Sequence, residues 1–475
     1  MRVLFAASEA VPLVKTGGLA DVVGALPKAL AKRGVDVTVM LPKYGEISKD
    51  VTDRAVYLGY TFVQMGWRRQ YCGVLEIIED GIRYLLLDNE YYFNRGYLYG
   101  YGDEAERFTF FSFAVLDSLQ VLSEMPDIIH CHDWQTGLIP MLLRTRYANR
   151  PGYRDIRTVF TVHNLKYQGV FPRELLQDLL SAGDDLFTED KLEFYGAASC
   201  MKAGLRYADK LTTVSPTYAR EIQTETYGEK LDGLLRERAA DLYGIVNGID
   251  TDEFDPMKDP HVPVPYRDSR AKKRQNKIAL QQELGLQADG SVPVIGIVSR
   301  LVDQKGLDLV IEALPELMEE NIQIVILGAG EPALEATLQE AVQRYPGRLA
   351  VWFGFNEGLA RRIYAGSDIY LMPSKFEPCG LSQLIALRYR TVPIVRETGG
   401  LCDTVESFNE YTGTGNGFSF GPASAHDLLF TVRRALFFYR DENAWAKILA
   451  NGAKRNYGWD NSAREYERLY RELAG

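Results

Sequence analysis

Short apolar runs of strand length alternate along the chain with longer stretches whose apolar residues recur at helical spacing. Val3 to Ala7 reads as a strand, Leu19 to Lys32 as a helix, and Val35 to Leu41 again as a strand. Further strand-like runs fall at Asp127 to His130, Thr158 to Val162 and Lys210 to Val214. A second series follows the polar stretch around Pro260 to Arg274. Its strands are expected at Val294 to Val298, Ile322 to Leu327, Leu349 to Trp352, Ile369 to Met372 and Val392 to Val395, with helices such as Leu307 to Met318 and Ala360 to Ala365 between them. This alternation predicts parallel sheets with helices on both faces. The expected fold class is therefore α/β: two doubly wound Rossmann-like domains facing across a cleft, with a boundary near Gly244 to Asp250. In such sheets ligands bind outside the carboxyl ends of the strands, and the polar motifs of this chain fall there.

A chain of 475 residues exceeds what one hydrophobic core usually supports, which agrees with two domains. The formal net charge is -10 and no basic block offsets it, so neither nucleic acid nor a membrane surface is an expected partner. The five cysteines, Cys72, Cys131, Cys200, Cys379 and Cys402, form no CxxC. Disulfide and zinc frameworks are not expected, and a reducing, cytoplasmic location fits. The amino-terminal apolar run is broken by Ser8 and Glu9 and reads as a buried strand instead of a signal peptide.

Five segments carry candidate chemistry. Lys15-Thr16-Gly17-Gly18-Leu19-Ala20-Asp21 follows the first strand and opens a helix. Glycines let a ligand approach the backbone, and free N–H groups at a helix start attract anions. A phosphate site and a tight turn with a surface lysine are both compatible with it. His130-Cys131-His132-Asp133-Trp134 ends another strand. Alternation along the strand sends its side chains apart, so convergence on a metal is not expected. Asp133 and Trp134 suit a sugar, the carboxylate for hydroxyls and the indole for stacking. Thr161-Val162-His163-Asn164 ends a third strand, where His163 is either packed or functional. In the second series, Ser299-Arg300 to Lys305-Gly306 places two cations at a strand end, a potential diphosphate clamp. Phe376-Glu377-Pro378-Cys379-Gly380-Leu381-Ser382-Gln383 follows another strand. Pro378 there suits an early helical position, which would leave the N–H groups of Cys379, Gly380 and Leu381 unpaired. The DxD string Asp250-Thr251-Asp252 reads as a turn with capping aspartates, not a metal ligand.

Together KTGGLADV, HCHDWQTGL, TVHNLKYQG, NGIDTDEFDP, SRLVDQKG, PSKFEPCGL and TVPIVRETGGL resemble the bacterial glycogen and starch synthases of the ADP-glucose type, GT-B glycosyltransferases. The motifs recur in family order over nearly the whole chain. The resemblance implies an acceptor-side domain over 1–245, a nucleotide-sugar domain over 246–455, and a last helix within 456–475, around Ser462 to Leu473, that crosses back. It implies catalytic roles for Glu377, His163, Arg300 and Lys305. Lys15, Gly18, Arg300 and Lys305 would hold the diphosphate, and His163, Asn247 and Glu377 the glucose. Asp133 falls in the acceptor site and Phe355 at the adenine-stacking position. Gly17, Asp21, Asn164, Cys379, Gly380, Leu381 and Ser382 complete the substrate-binding set.

The implied reaction transfers glucose from ADP-glucose to the non-reducing 4-hydroxyl of an α-1,4-glucan, with retention and with neither metal nor pyridoxal phosphate. Two positions depart from related patterns. Ile385 stands where many GT-B relatives carry a second glutamate, which favours the synthase branch. Arg390 stands where glycine is usual, at a helix end suited to a left-handed residue. The competing readings are a sucrose- or trehalose-forming transferase, a phosphorylase, and a catalytically silent glucan-binding module.

Overall fold

A computed structural model describes residues 1–475. The chain forms two compact units, one of residues 1–247 with 459–475 and one of residues 248–458.

The first unit is built on a nine-stranded sheet. Its strands are β1 (Arg2–Ala6), β2 (Asp36–Pro42), β3 (Val56–Met65), β4 (Arg68–Glu79), β5 (Ile82–Asp88), β6 (Ile128–His132) and β7 (Arg157–Val162). After a small sheet of β8 (Val170–Pro172), β9 (Glu193–Phe194) and β10 (Ala197–Ser199), the large one resumes with β11 (Lys210–Thr213) and β12 (Leu242–Gly244). The spatial order is β12-β11-β7-β6-β1-β2-β5-β4-β3. β1 is central, and Val3, Leu4, Phe5 and Ala6 are all buried, as a parallel strand covered on both faces must be. The chain leaves β1 toward β2 and later returns to its other side as β6. The β1/β6 border is therefore a topological switch point, where a crevice opens at the strand ends.

The second unit has a six-stranded parallel sheet of β13 (Val294–Val298), β14 (Gln323–Gly328), β15 (Leu349–Phe353), β16 (Ile369–Met372), β17 (Val392–Arg396) and β18 (Phe418–Phe420). Its order is β15-β14-β13-β16-β17-β18, so the switch point lies between β13 and β16. One core of this unit packs Leu307, Val310, Leu314 and Leu317 of the helix Leu307–Leu317 under Ile295, Ile324 and Ile369 of the sheet.

The doubly wound plan of both units agrees with the alternation of apolar runs. The first sheet is not wholly parallel, however: β4 runs antiparallel to both β5 and β3. Asp80 and Gly81 between β4 and β5 both have positive φ, 50° and 78°. Asp-Gly between two alternating runs is the two-residue hairpin signal, and it marks these strands in the sequence. The last helix, Asp460–Ala474, buries Ala463, Tyr466, Leu469 and Tyr470 within the first unit, and its Glu467 accepts from Arg33 Nε at 2.6 Å.

Candidate functional site

In the first unit three chain segments meet at the carboxyl ends of β1, β6 and β7. The loop after β1 is organised by Glu9, which the sequence motifs did not single out. Its buried carboxylate accepts from the backbone N–H groups of Thr16 and Gly17, the Thr16 hydroxyl and Tyr99. Burial pushes the Glu9 pKa up, and these donors oppose that shift. The signal was present, since an isolated carboxylate ending an apolar strand must find donors or stay protonated. Lys15 is exposed and pairs with Asp21 at 2.7 Å. Gly17 precedes the helix Gly18–Ala31, and a Cβ added to it would meet nothing within 4 Å. No packing inside the chain demands that glycine, so the open side is available to a ligand. Gly24 in the same helix is the opposite case, with its Cβ position 2.5 Å from the Val11 carbonyl oxygen.

Asp133, directly after β6, has φ 57° and ψ -177°, a conformation a non-glycine residue rarely adopts. Its N–H donates to the Thr161 carbonyl at 2.9 Å and its carboxylate accepts from the His163 N–H at 2.7 Å. These bonds tie the end of β6 to the end of β7. Burial raises the Asp133 carboxyl to about 7. His163 is also enclosed, and burial lowers its imidazole to about 3. Asn164 caps the next turn, accepting from the Lys166 N–H at 3.1 Å. Asn247 is buried, and its side-chain oxygen has no partner in the chain.

Two expectations for this region need correction. Trp134 is not free to stack on a sugar. It packs edge-on to Phe108 and Phe171, and a Cβ at Gly169 would lie 2.2 Å from its ring. Nor do the histidines diverge. His130 and His132, two apart on β6, share one face with ring centroids 4.2 Å apart, and His132 Nδ1 lies 2.9 Å from His163 Nε2. Period-two alternation separates His130 from Cys131 but stacks it beside His132.

In the second unit the loops after β13 and β16 flank the switch point, and each contributes one member of an ion pair. Lys305 Nζ lies 2.6 Å from Glu377 Oε2, with side-chain exposures of 16% and 8%. Ser374 Oγ donates to the same carboxylate oxygen at 2.9 Å. Gly306, at φ 70°, turns the chain where a Cβ would sit 2.1 Å from the Pro373 carbonyl oxygen. Arg300 is exposed at the end of β13. Phe355, beyond β15, is 91% exposed, so both faces of its ring are open to stacking.

The segment after Glu377 is not the first turn of a helix. The helix is Ser382–Arg388, Leu381 is its N-cap, and Gly380 is left-handed at φ 73°. The cause is local. Gln383 Nε2 donates to the carbonyls of Cys379 at 3.0 Å and Gly380 at 2.9 Å. Gly399 and Gly400 approach so closely that their Cβ positions fall 1.9 Å from the Glu377 oxygen and 2.2 Å from the Cys379 oxygen. The helix-start donors are those of Ser382 and the residues after it, not those of Cys379 and Gly380. Cys379 is buried, and the Ser382 hydroxyl bonds Tyr370. Asp250 caps a turn as expected, accepting from the N–H groups of Asp252 at 3.0 Å and Glu253 at 3.1 Å.

Residues 2–237 match the family described as starch synthase catalytic domain, and residues 282–451 match glycosyl transferases group 1. With a doubly wound unit under each match, the chain is a glycosyltransferase of the GT-B class. It is 54% identical to a glycogen synthase of Anoxybacillus flavithermus, over 100% of this chain and 98% of the relative. It is 53% identical to a glycogen synthase of Desulforamulus reducens, over 100% and 99%. The chain belongs to the glycogen and starch synthase family. Among solved structures it superposes on the catalytic domain of starch synthase IV from Arabidopsis thaliana, bound to ADP and acarbose. That match has a TM-score of 0.92 and 33% identity, and covers 100% of this chain and 99% of the other. A sucrose-phosphate synthase from Thermosynechococcus elongatus shares the fold, with a TM-score of 0.63, 20% identity and coverage of 99% and 98%. No helix is long and apolar enough to cross a membrane.

Proposed function

We propose that the chain elongates an α-1,4-glucan with glucose from ADP-glucose, retaining the anomeric configuration. The full-length likeness to glycogen synthases carries this reading, and the ADP and acarbose in the Arabidopsis structure support the choice of donor and acceptor. The first unit serves the glucan and the second the nucleotide sugar. Breaking the bond between the anomeric carbon and the diphosphate oxygen leaves negative charge on the diphosphate and positive charge on the ring. Arg300, Lys305 and Lys15 offset the first, and Glu377 and the His163 carbonyl the second. The acceptor 4-hydroxyl attacks from the same face, and its proton passes to the departing phosphate oxygen.

The orphan oxygen of buried Asn247 and the open side of Gly17 support glucose and phosphate contacts there. Phe355 stacks the adenine. Lys15, Arg300 and Lys305 balance the roughly two to three charges of a diphosphate, so the proposed reaction needs no divalent metal, and it contains no step that uses pyridoxal phosphate. A cytoplasmic location fits five cysteines that form no disulfide with one another.

The test is radiolabel transfer to glycogen from ADP-glucose and UDP-glucose in parallel, before and after exhaustive chelation. Equal or greater efficiency with UDP-glucose rejects the donor. Activity lost on chelation and restored by magnesium or manganese rejects the metal-free mechanism. Transfer to fructose 6-phosphate instead of glucan moves the chain to the sucrose-forming branch.

A further inference from the structure

His132 is buried and belongs to no role assigned above. Its ring is held between Phe5, at a centroid distance of 5.1 Å, and His130, at 4.2 Å and nearly parallel. His130 in turn is pinned at both nitrogens, by Tyr470 Oη at 2.6 Å and Thr161 Oγ1 at 2.5 Å. The last helix, which carries Tyr470, thus helps fix the stack. His132 Nδ1 meets His163 Nε2 at 2.9 Å, whereas His132 Nε2 is buried with no partner.

We propose that His132 is a positioning residue that sets the ring orientation and tautomer of His163, so that His163 presents Nδ1–H as a donor to a sugar hydroxyl. This rests on the reading that His163 faces the donor glucose.

The argument is one of counting protons. Burial holds all three imidazoles neutral, with His130 and His132 pushed well below the usual histidine range and His163 to about 3. A neutral imidazole carries one N–H. If His163 donated from Nε2, His132 would accept at Nδ1 and carry its own proton on Nε2, as a buried N–H with no acceptor. Orphaned buried N–H groups are rare in folded proteins, rarer than acceptors with an unused lone pair. In the reverse arrangement His132 Nδ1–H donates, and only a lone pair at His132 Nε2 goes unused. His163 Nε2 is then the acceptor, and the His163 proton must sit on Nδ1. Asp133 accepts from the His163 backbone N–H at 2.7 Å.

The experiment has two arms on the full chain. In the first, histidine-selective nitrogen NMR on the native protein reads which ring nitrogen of His163 carries the proton. Nδ1–H is expected, and Nε2–H overturns the proposal. In the second, His132→Phe fills the stack without a donor, and His132→Asn offers an amide N–H at the Nδ1 position without the ring. His132→Phe is expected to lower kcat on the order of 100-fold with KM for both substrates little changed, and His132→Asn to recover most of it. A residue that only packs gives the opposite order, with Phe active and Asn impaired, and that order also overturns the proposal. Full activity in His163→Ala would reject the sugar-facing reading of His163 separately, because the NMR arm still decides what His132 does to its tautomer.

Discussion

The two units share a doubly wound plan and hold their ionisable groups in opposite ways. At the β6 and β7 ends, burial keeps Asp133 at about 7 and His163 at about 3, with no cation beside either. At the β13 and β16 ends, Lys305 and Glu377 face each other at 2.6 Å and share the cost of desolvation as a pair. A switch point supplies only the crevice. Side chains then line it with buried groups that stand away from any cation in one unit and with an ion pair in the other.

The largest expected effect is acid lability confined to the first unit. His130, His132 and His163 have folded pKa values below their unfolded ones. Their stabilisation is present above about pH 6.5 and is lost as pH falls. Asp133 acts in the other sense, since its raised pKa favours the folded state at low pH and that benefit is lost on rising toward about 7. Glu9, likewise raised by burial, acts in the same sense as Asp133. Urea titrations from pH 7 to 4.5, with hydrogen exchange to locate the opening, should show the loss in the β6–β7 region. A flat midpoint over that range would mean that the histidines are protonated in the folded chain.

Next in size is Lys305→Ala. It should cost about 2.7–4 kcal/mol of barrier, roughly 100- to 1,000-fold in kcat, with glucan KM nearly unchanged, since the charge matters most as the diphosphate leaves. Steady-state kinetics at saturating donor measure it. Near-normal turnover would reduce the Lys305–Glu377 pair to a structural contact.

How far this contrast was legible in the sequence depends on the kind of force. The doubly wound plan was visible because unbroken apolar runs such as Val294 to Val298 can only be buried parallel strands. Lys305 and Glu377 were visible as strand-end charges, but their direct pairing depends on two loops separated in sequence by most of a sheet. Glu9 was passed over because its donors, Thr16 and Gly17, become partners only once the loop curls back. The Pro378 segment was misread because proline and unpaired N–H groups suggest a helix start, while the close approach of Gly399 and Gly400 fixes a loop. Long-range backbone contacts of that kind leave no local pattern.

Glu9→Gln tests the first unit on its weaker, polar side. The amide keeps the size but offers one acceptor oxygen where Thr16, Gly17 and Tyr99 present several donors. Leaving one buried donor unmet costs about 1–3 kcal/mol. The expected outcome is a raised donor KM with a smaller change in kcat, since the Lys15–Asp21 loop loosens while the second unit is untouched. An unchanged KM would show that the loop holds its shape without Glu9.

The smallest effect concerns Arg390, where the second unit again carries a charge, this time against a backbone preference. Arg390 has φ 59°, and the Thr391 N–H bonds the Ala386 carbonyl at 2.8 Å, closing the end of the helix Ser382–Arg388. A left-handed arginine costs about 1–2 kcal/mol relative to a relaxed conformation. Its guanidinium recovers part of that by binding Asp268 at 2.8 Å, an exposed contact worth about 0–1 kcal/mol. Arg390→Gly removes the backbone cost and the ion pair together, and adds about 0.4–1 kcal/mol of unfolded-chain entropy. The net change should lie within about 1 kcal/mol of zero. Arg390→Val keeps the left-handed demand, loses the ion pair and adds a β-branched side chain that tolerates positive φ poorly, so it should be clearly less stable than either. Thermal melts of the three proteins check this order, Gly equal to or above Arg and both above Val. A Val variant as stable as Arg390 would mean that the helix end can relax out of the left-handed conformation.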